Sequence, residues 1–218
     1  MGLPDATNPY RPGAGIAPPV LAGRDAILGR FEELTATVRA TAEGQRPWVI
    51  TGARGVGKTV LLLELLQRAH DAGWTCARIE AGPPDSLAES LTRALYIPVR
   101  QAVGRTRAPR GGDARLRRVL GIFSALRLSL DTGGRLSFGV DVEPPDLSGD
   151  LGTDLHERLQ ALGEWARAED TPVLLTIDEL DSATPEDLRA LNRSLHLLGQ
   201  EDLPVPVQVV GAGQSNLP

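Results

Sequence analysis

The chain has 218 residues, of which 41% are hydrophobic and 23% charged, and its formal net charge is −5. These proportions are close to those of ordinary globular domains and exclude a wholly disordered chain. No apolar run reaches the ~20 residues of a membrane-spanning helix, and no signal peptide opens the sequence. We therefore expect no membrane segment and a cytoplasmic protein, and the single cysteine, Cys76, excludes an internal disulfide.

Residues 1–22 are rich in proline and predict an extended lead-in rather than a helix. After Arg24, apolar residues recur at helical spacing and predict a helix that Gly44 can cap. Residues 48–51 then form a short apolar strand, followed by a glycine-rich turn and a strongly apolar helix over 60–72. The core domain is expected to cover residues 23–218.

The glycine-rich turn matches the phosphate-binding P-loop pattern at every fixed position. Glycines allow φ > 0 and bring main-chain N–H groups around phosphate oxygens, and the helix that follows directs its positive dipole end at the same anion. Lys58, the only lysine in the chain, is expected to reach the β- and γ-phosphates, and the Thr59 hydroxyl to bind Mg²⁺. The predicted nucleotide-binding residues are Gly52, Ala53, Arg54, Gly55, Val56, Gly57, Lys58, Thr59 and Val60.

A second strand over 74–80 precedes Ser86 and Glu89, whose spacing is that of a capping box at the start of a helix. A basic helix is predicted over 113–126. Alternating apolar residues on both sides of a Gly-Gly turn then predict a β-hairpin over 126–142. A helix and a hairpin are thus expected as an insertion of about residues 104–150 between the second strand and the next strand of the sheet.

The charge is distributed unevenly. Residues 1–140 carry 19 basic and 12 acidic side chains, whereas residues 141–218 carry 4 basic and 16 acidic ones. Seven arginines lie between Arg100 and Arg118. Such a stretch fits a nucleic-acid-binding patch or a solvated surface insertion. The stretch contains no aromatic residue for base stacking, which favours the insertion.

The second half of the chain continues the alternation of helices and strands. A helix is predicted to end before Pro172, and residues 173–177 form an apolar strand of the type buried on both faces. Thr184 and Pro185 begin another helix as its N-cap and first residue, and residues 205–210 form a last strand. This order predicts an α/β fold with a mainly parallel sheet.

Asp178 and Glu179 follow the buried strand directly. In a P-loop protein, an Asp at this point organises Mg²⁺, and a Glu after it can orient or deprotonate the attacking water. We therefore predict that Asp178 and Thr59 hold the metal and that Glu179 and Lys58 are catalytic. The alternative is an acidic turn that caps a helix, which the nearby Asp181 favours.

The last strand leads to Gln214 and Asn216. If the sheet places Asp178 beside the P-loop, the neighbouring strand can deliver one of these side chains to the γ-phosphate. A plain glycine-rich turn is the other interpretation. We predict that Gln214 is a nucleotide-binding residue.

In these segments the chain resembles the nucleotide-binding domain of AAA-type ATPases, in the origin-recognition-like and signal-transducing (STAND-like) branch. The resemblance rests on a Gly-Arg box at residues 19–25, the P-loop, residues 175–180 and the strand over 207–211. It implies a three-layer P-loop NTPase fold of the ASCE/AAA type, with ATP and Mg²⁺ as cofactors. In that family the segment through the box lines the adenine pocket, which implies that Val20, Leu21 and Arg24 lie near the base.

The resemblance also implies features after the last strand, namely a fifth strand, a helical lid with a sensor arginine and often a DNA-binding or effector module. The sequence ends at Pro218, so we expect the lid and the C-terminal module to be absent and hydrolysis by the isolated chain to be slow. In that family an arginine finger comes from a neighbouring subunit, and Arg189 and Arg193 could serve in that way.

The expected function is that of an ATP-binding and ATP-hydrolysing module, a switch that binds ATP or ADP and works with a protein partner or as a homo-oligomer. Two alternatives stay open. One is a nucleotide-responsive DNA-binding protein, for which the arginines between Arg100 and Arg118 are the local indication. The other is a pseudo-ATPase scaffold that binds nucleotide without turnover.

Overall fold

A computed structural model of the chain describes residues 21–95, 127–130, 136–139, 151–200 and 204–215. The helices in these ranges are α1 (Asp25–Thr41), α2 (Lys58–Asp71), α3 (helical over 87–95), α4 (Leu151–Ala168) and α5 (Pro185–Leu198). The strands are β1 (Trp48–Thr51), β2 (Thr75–Glu80), β3 (Arg127–Leu130), β4 (Leu136–Gly139), β5 (Val173–Asp178) and β6 (Val207–Gly213). A single 3₁₀ turn, Leu180–Ser182, joins β5 to α5.

Four of these strands form one parallel sheet in the order β1-β6-β5-β2. This confirms the predicted α/β fold of the P-loop NTPase type. β6 lies between β1 and β5, so the strand that carries Asp178 is not the direct neighbour of the strand that leads into the P-loop. All four strands point the same way, and therefore their carboxyl ends meet at one edge of the sheet.

One face of the sheet is covered by α1 and α2. Phe31 of α1 and Leu62 of α2 are fully buried and pack in the same cluster as Leu174 and Val210 of the sheet. Complete burial of a side chain of this size stabilises the fold by about 1.5–3 kcal/mol. This packing holds the start of α2 against the sheet edge that carries the P-loop.

The opposite face is covered by α3, α4 and α5. Leu91 and Leu159 pack there with Leu175 and Val209 of the sheet. Leu174 and Leu175 are neighbours in β5 but belong to different clusters, as expected from the two-residue period of a strand. β5 is buried along its whole length, and the domain therefore has three layers.

The end of α1 differs from the prediction. Ala42, not Gly44, takes the left-handed conformation after the helix, with φ 55°, and its N–H donates to the Val38 carbonyl. Gly44 has another role, because a Cβ there would lie 2.2 Å from the Val207 carbonyl oxygen. Glycine at this position permits the close approach of the loop before β1 to the start of β6.

Two side-chain caps fix the helices near the carboxyl edge of the sheet. The predicted capping box is present at α3, since the Ser86 N–H donates to Glu89 Oε2 at 2.9 Å and the Glu89 N–H donates to Ser86 Oγ at 3.3 Å. At α5, Thr184 Oγ1 accepts from the Asp187 N–H at 3.1 Å. Asp187 Oδ1 also accepts from the Leu87 N–H at 3.0 Å. One buried carboxylate therefore joins the starts of two helices.

Between β2 and β5, the described residues contain the antiparallel pair β3–β4, with Leu128 opposite Phe138. The predicted helix over 113–126, the arginines between Arg100 and Arg118 and residues 1–20 of the lead-in lie outside the described residues. None of the described helices combines the length and the apolar character that crossing a bilayer requires.

Candidate nucleotide-binding site

The P-loop connects the carboxyl end of β1 to the first turn of α2. Gly55 and Gly57 have φ values of 82° and 84°, a region that costs a residue with a side chain roughly 1–2 kcal/mol. Gly57 directly precedes α2, so the helix begins at Lys58, two residues before the predicted start. No side chain caps this helix, and its first N–H groups are therefore left for an anion.

The Lys58 side chain folds back over the P-loop that precedes it. Its Nζ donates to the carbonyl oxygens of Gly52 and Ala53, at 2.9 Å in both cases. Lys58, Thr59 and Val60 are half-buried in the first turn of α2. Both acceptors are neutral carbonyls, so the ammonium group has no carboxylate in direct contact through them and is suited to bind a phosphate oxygen next to the loop.

Arg24 brings the predicted Gly-Arg box to the P-loop. Its Nη2 donates to the Val56 carbonyl oxygen at 2.8 Å. Leu21 is half-buried three residues before it, whereas Val20 lies outside the described residues. The hydrogen bond joins the segment before α1 to the loop that precedes α2.

Asp178 is buried at the end of β5, with 3% of its surface exposed. Its Oδ2 accepts from Arg78 Nη2 of β2 at 3.1 Å, and its Oδ1 accepts from the Glu179 N–H at 3.1 Å. Sequence reasoning did not identify Arg78. The ion pair compensates a carboxylate that would be very costly to bury alone.

Glu179 leaves the sheet in a left-handed conformation with φ 52° and ψ 43°. This conformation is rare for a residue with a side chain and is found preferentially at functional sites. Here it turns the chain sharply into the 3₁₀ turn and leaves the Glu179 side chain exposed at the carboxyl edge. The predicted base is thus positioned by a strained backbone.

A cavity of about 570 Å³ adjoins Glu179 on the β2 side of the sheet. Its lining includes an ion pair between Arg93 Nη1 and Asp85 Oδ2 at 2.5 Å. The hydrogen bond from Arg93 holds the pKa of Asp85 below its usual range. The carboxyl edge beyond Glu179 therefore opens into a cavity that combines this ion pair with apolar residues such as Ile79 and Pro83.

Gln214 follows β6 at the same edge, and Asp181 of the 3₁₀ turn holds it at two points. The Gln214 main-chain N–H donates to Asp181 Oδ1 at 2.9 Å, and Gln214 Nε2 donates to Asp181 Oδ2 at 2.8 Å. The main-chain hydrogen bond from Gln214 is the largest influence that lowers the pKa of Asp181, and the charge of Lys58 acts in the same direction. Asn216 lies outside the described residues.

The donor set fits Mg²⁺ bound together with a nucleotide. Among the described residues there is no group of three or more carboxylate, imidazole or thiolate side chains that could hold a metal alone. Mg²⁺ usually takes one or two protein oxygens, keeps several waters and binds phosphate oxygens of its ligand. The Asp178 carboxylate and the Thr59 hydroxyl are oxygen donors of this kind.

Arg189 and Arg193, the candidate trans-acting arginines, lie on α5, and Arg189 lines a cavity together with Trp48 and Val49 of β1. Arg189 is 74% exposed and its Nη1 is 3.3 Å from Glu186 Oε1 one turn before it. An exposed ion pair of this type is weak and exchanges readily with other partners.

The chain matches the family model described as "AAA ATPase domain" over residues 20–210. Among solved structures it is similar to Cdc6p from Pyrobaculum aerophilum, with a TM-score of 0.48, 15% identity and coverage of 94% of this chain and 42% of the other. It is also similar to the Orc1 protein of Aeropyrum pernix, solved in complex with DNA, with a TM-score of 0.42, 20% identity and coverage of 91% and 41%. No curated protein sequence gives a significant match.

The chain spans about two fifths of the length of these two solved proteins. The family match covers the P-loop, Asp178 and Glu179 at the end of β5, and the first four residues of β6. The chain therefore belongs to the AAA ATPase domain family.

Proposed function

We propose that this AAA ATPase domain binds ATP together with Mg²⁺, hydrolyses it, and uses the change of bound nucleotide as a switch for a protein partner or a second copy of itself. The observation that carries this proposal is the meeting of three segments at one sheet edge. β1 delivers the P-loop, β5 delivers Asp178 and Glu179, and β6 delivers Gln214. Each segment supplies a different part of phosphoryl-transfer chemistry.

The P-loop binds the phosphates. The main-chain N–H groups from Gly52 to Val60 surround the phosphate oxygens, and the uncapped start of α2 adds its partial positive charge. Lys58 exchanges its two carbonyl contacts for oxygens of the β- and γ-phosphates. Arg54, exposed at a variable position of the loop, contributes through its backbone.

Thr59 and Asp178 would hold Mg²⁺, which would supply positive charge to the transferring phosphate. The ion pair between Arg78 and Asp178 uses only part of the carboxylate's acceptor capacity, so Asp178 could hold the metal, directly or through a metal-bound water, while it keeps the Arg78 contact. Glu179 orients the attacking water and accepts its proton.

The adenine base is expected beside the segment before α1. Arg24 fixes this segment to the P-loop through the Val56 carbonyl. Leu21 supplies apolar surface for the base, and Val20, which lies outside the described residues, is proposed to do the same. A substitution at Leu21 should therefore change the preference for ATP over GTP more than it changes phosphate affinity.

The experiment for hydrolysis is phosphate release by the wild type and by Glu179→Gln, with ATP affinity measured in parallel. Glutamine keeps the size of the side chain but cannot accept the proton, so we expect turnover to be lost and ATP affinity to be retained. Glu33→Gln, the same change on the exposed face of α1, is the matched control. Turnover by Glu179→Gln at the wild-type rate would exclude Glu179 as the base. A wild type that binds ATP without releasing phosphate would favour the pseudo-ATPase scaffold.

DNA binding is the second candidate function, and the observation that favours it is the arginine-rich stretch from Arg100 to Arg118. Contacts between arginines and phosphates release counterions, so binding should weaken steeply as salt rises. Retention on DNA at low salt that is lost at 200 mM salt would support this function. No retention at any salt concentration would exclude it.

A further inference from the structure

Asp181 and Gln214 form a contact that none of the proposed catalytic roles explains. One carboxylate holds both the main-chain N–H and the side-chain amide of a single residue. An ionised carboxylate only accepts hydrogen bonds, so Gln214 must turn Nε2, and not Oε1, toward Asp181. We call this pair of hydrogen bonds the Asp181 clamp. It fixes the orientation of the Gln214 amide relative to its own backbone.

The clamp lies at the phosphate end of the site. β6 pairs with β1 so that Gly213 lies opposite Thr51, and Gln214 therefore leaves the sheet alongside Gly52, the first residue of the P-loop. The pKa of Asp181 is lowered chiefly by the main-chain hydrogen bond from Gln214, and the charge of the P-loop Lys58 acts in the same direction.

We propose that Asp181 is a positioning residue that holds the Gln214 amide in the one orientation useful for the terminal phosphate of the nucleotide. This inference rests on the proposed function. Nε2 carries two hydrogens, and the clamp uses one of them. The second hydrogen remains available to a phosphate oxygen, while Oε1 is kept on the far side of the amide.

Without the clamp, the Gln214 amide would no longer present only its N–H group to the terminal phosphate. An unrestrained glutamine presents its oxygen and its nitrogen about equally well, and an amide oxygen repels a phosphate oxygen. The terminal phosphate would then meet a donor for only part of the time. Because the contact concerns the terminal phosphate alone, ATP hydrolysis should be affected and ADP affinity should not.

The test combines Asp181→Asn, Gln214→Ala and the double variant, with phosphate release and ADP affinity measured for each. Asparagine keeps the size of Asp181 but turns an NH₂ group toward one of the two donors, which breaks the clamp. We expect Asp181→Asn to lower kcat by about 10- to 100-fold, by analogy with the loss of outer-shell partners that orient metal ligands. We expect the KM for ATP and the Kd for ADP to stay within about twofold of the wild type. The double variant should be no slower than Gln214→Ala alone, because the clamp acts only through Gln214.

The matched control is Asp71→Asn, since Asp71 Oδ1 also accepts from a glutamine, Gln67 Nε2, at 2.8 Å, but at the far end of α2. It should leave kcat and ADP affinity unchanged. An unchanged kcat in Asp181→Asn would overturn the proposal. So would a double variant whose loss equals the product of the two single losses, which would mean that Asp181 acts independently of Gln214. Absence of phosphate release by the wild type would instead refute the proposed function, and the clamp's role with it.

Discussion

Replacing Glu179 with glycine is expected to stabilise the fold while it abolishes ATP hydrolysis. Glu179 has φ 52° and ψ 43°, where a residue with a side chain is less stable by roughly 1–2 kcal/mol than one without. Glycine in turn loses more chain entropy on folding, which costs about 0.5–1 kcal/mol. The difference is a net stabilisation of about 0–1.5 kcal/mol, and the midpoint of about 0.75 kcal/mol is equivalent to an increase in Tm of about 2–3 °C for a domain of this size.

The assay is thermal and urea unfolding without nucleotide, together with phosphate release. Glu179→Gln is the informative companion, because glutamine removes the proton acceptor but keeps the side chain and the strained backbone. Its unfolding free energy should lie within about 0.5 kcal/mol of the wild type, as for most exposed substitutions. Both variants should be inactive, and only the glycine variant should be more stable.

A higher unfolding free energy for Glu179→Gly than for Glu179→Gln would show that the strained backbone that positions the base lowers the stability of the fold. The reasoning would be refuted if Glu179→Gly were less stable than the wild type while Glu179→Gln matched it. That result would mean that contacts of the Glu179 side chain, and not the strain in its backbone, determine how this residue affects the free energy of unfolding.

Three further predictions follow from other contacts. Asp178→Asn should raise the Mg²⁺ concentration needed for half-maximal ATP binding by about tenfold or more, and an unchanged midpoint in a Mg²⁺ titration would contradict the metal assignment. Gly163→Ala should destabilise the fold by about 1–3 kcal/mol in urea unfolding, because its Cβ would lie 2.2 Å from the Val205 Cβ. Gly29→Ala, whose Cβ would meet no atom within 4 Å, should stabilise the fold by about 0.4–1 kcal/mol. Equal effects of the two alanines on the unfolding free energy would contradict the close packing of Gly163 against Val205. Burial raises the pKa of the Cys76 thiol to about 12, so alkylation at pH 8 should be at least about 100-fold slower than in urea, and equally fast labelling would show that the thiol is not buried.

Much of the local structure around the candidate site could be predicted from the sequence because its signals are local. The P-loop is one continuous segment in which Gly52, Gly57, Lys58 and Thr59 have fixed positions. The capping box at Ser86 and the N-cap at Thr184 depend on residues three positions apart, and both are present. Hydrophobic periodicity likewise located each strand of the parallel sheet within a few residues.

The parts that could not be predicted depend on partners far apart in the chain. Arg78 meets Asp178 across 100 residues, and Gln214 meets Asp181 across 33. Both contacts exist only because β5 lies between β2 and β6 in the sheet. Strand order is set by how the helices cover the sheet, and no single segment encodes it. The end of α1 shows a related limit. The sequence indicates Gly44 as the residue that ends this helix, but glycine is needed there because Val207 of β6 lies so close to it.

Calorimetric titration with ATP and Mg²⁺, for the wild type and for Lys58→Ala, tests most directly whether this edge of the sheet is a nucleotide site. Lys58 is the only lysine in the chain and lies in the first turn of α2 with its Nζ on the loop carbonyls. Losing its charged contact with the phosphates should cost about 2–4 kcal/mol, a 30- to 1000-fold weaker Kd. Arg46→Ala, which removes an exposed positive charge from the loop before β1, should leave the Kd within about twofold. Saturable binding by the wild type that Lys58→Ala loses and Arg46→Ala keeps is the predicted result. An equal Kd for the wild type and Lys58→Ala, or no binding by the wild type, would contradict it.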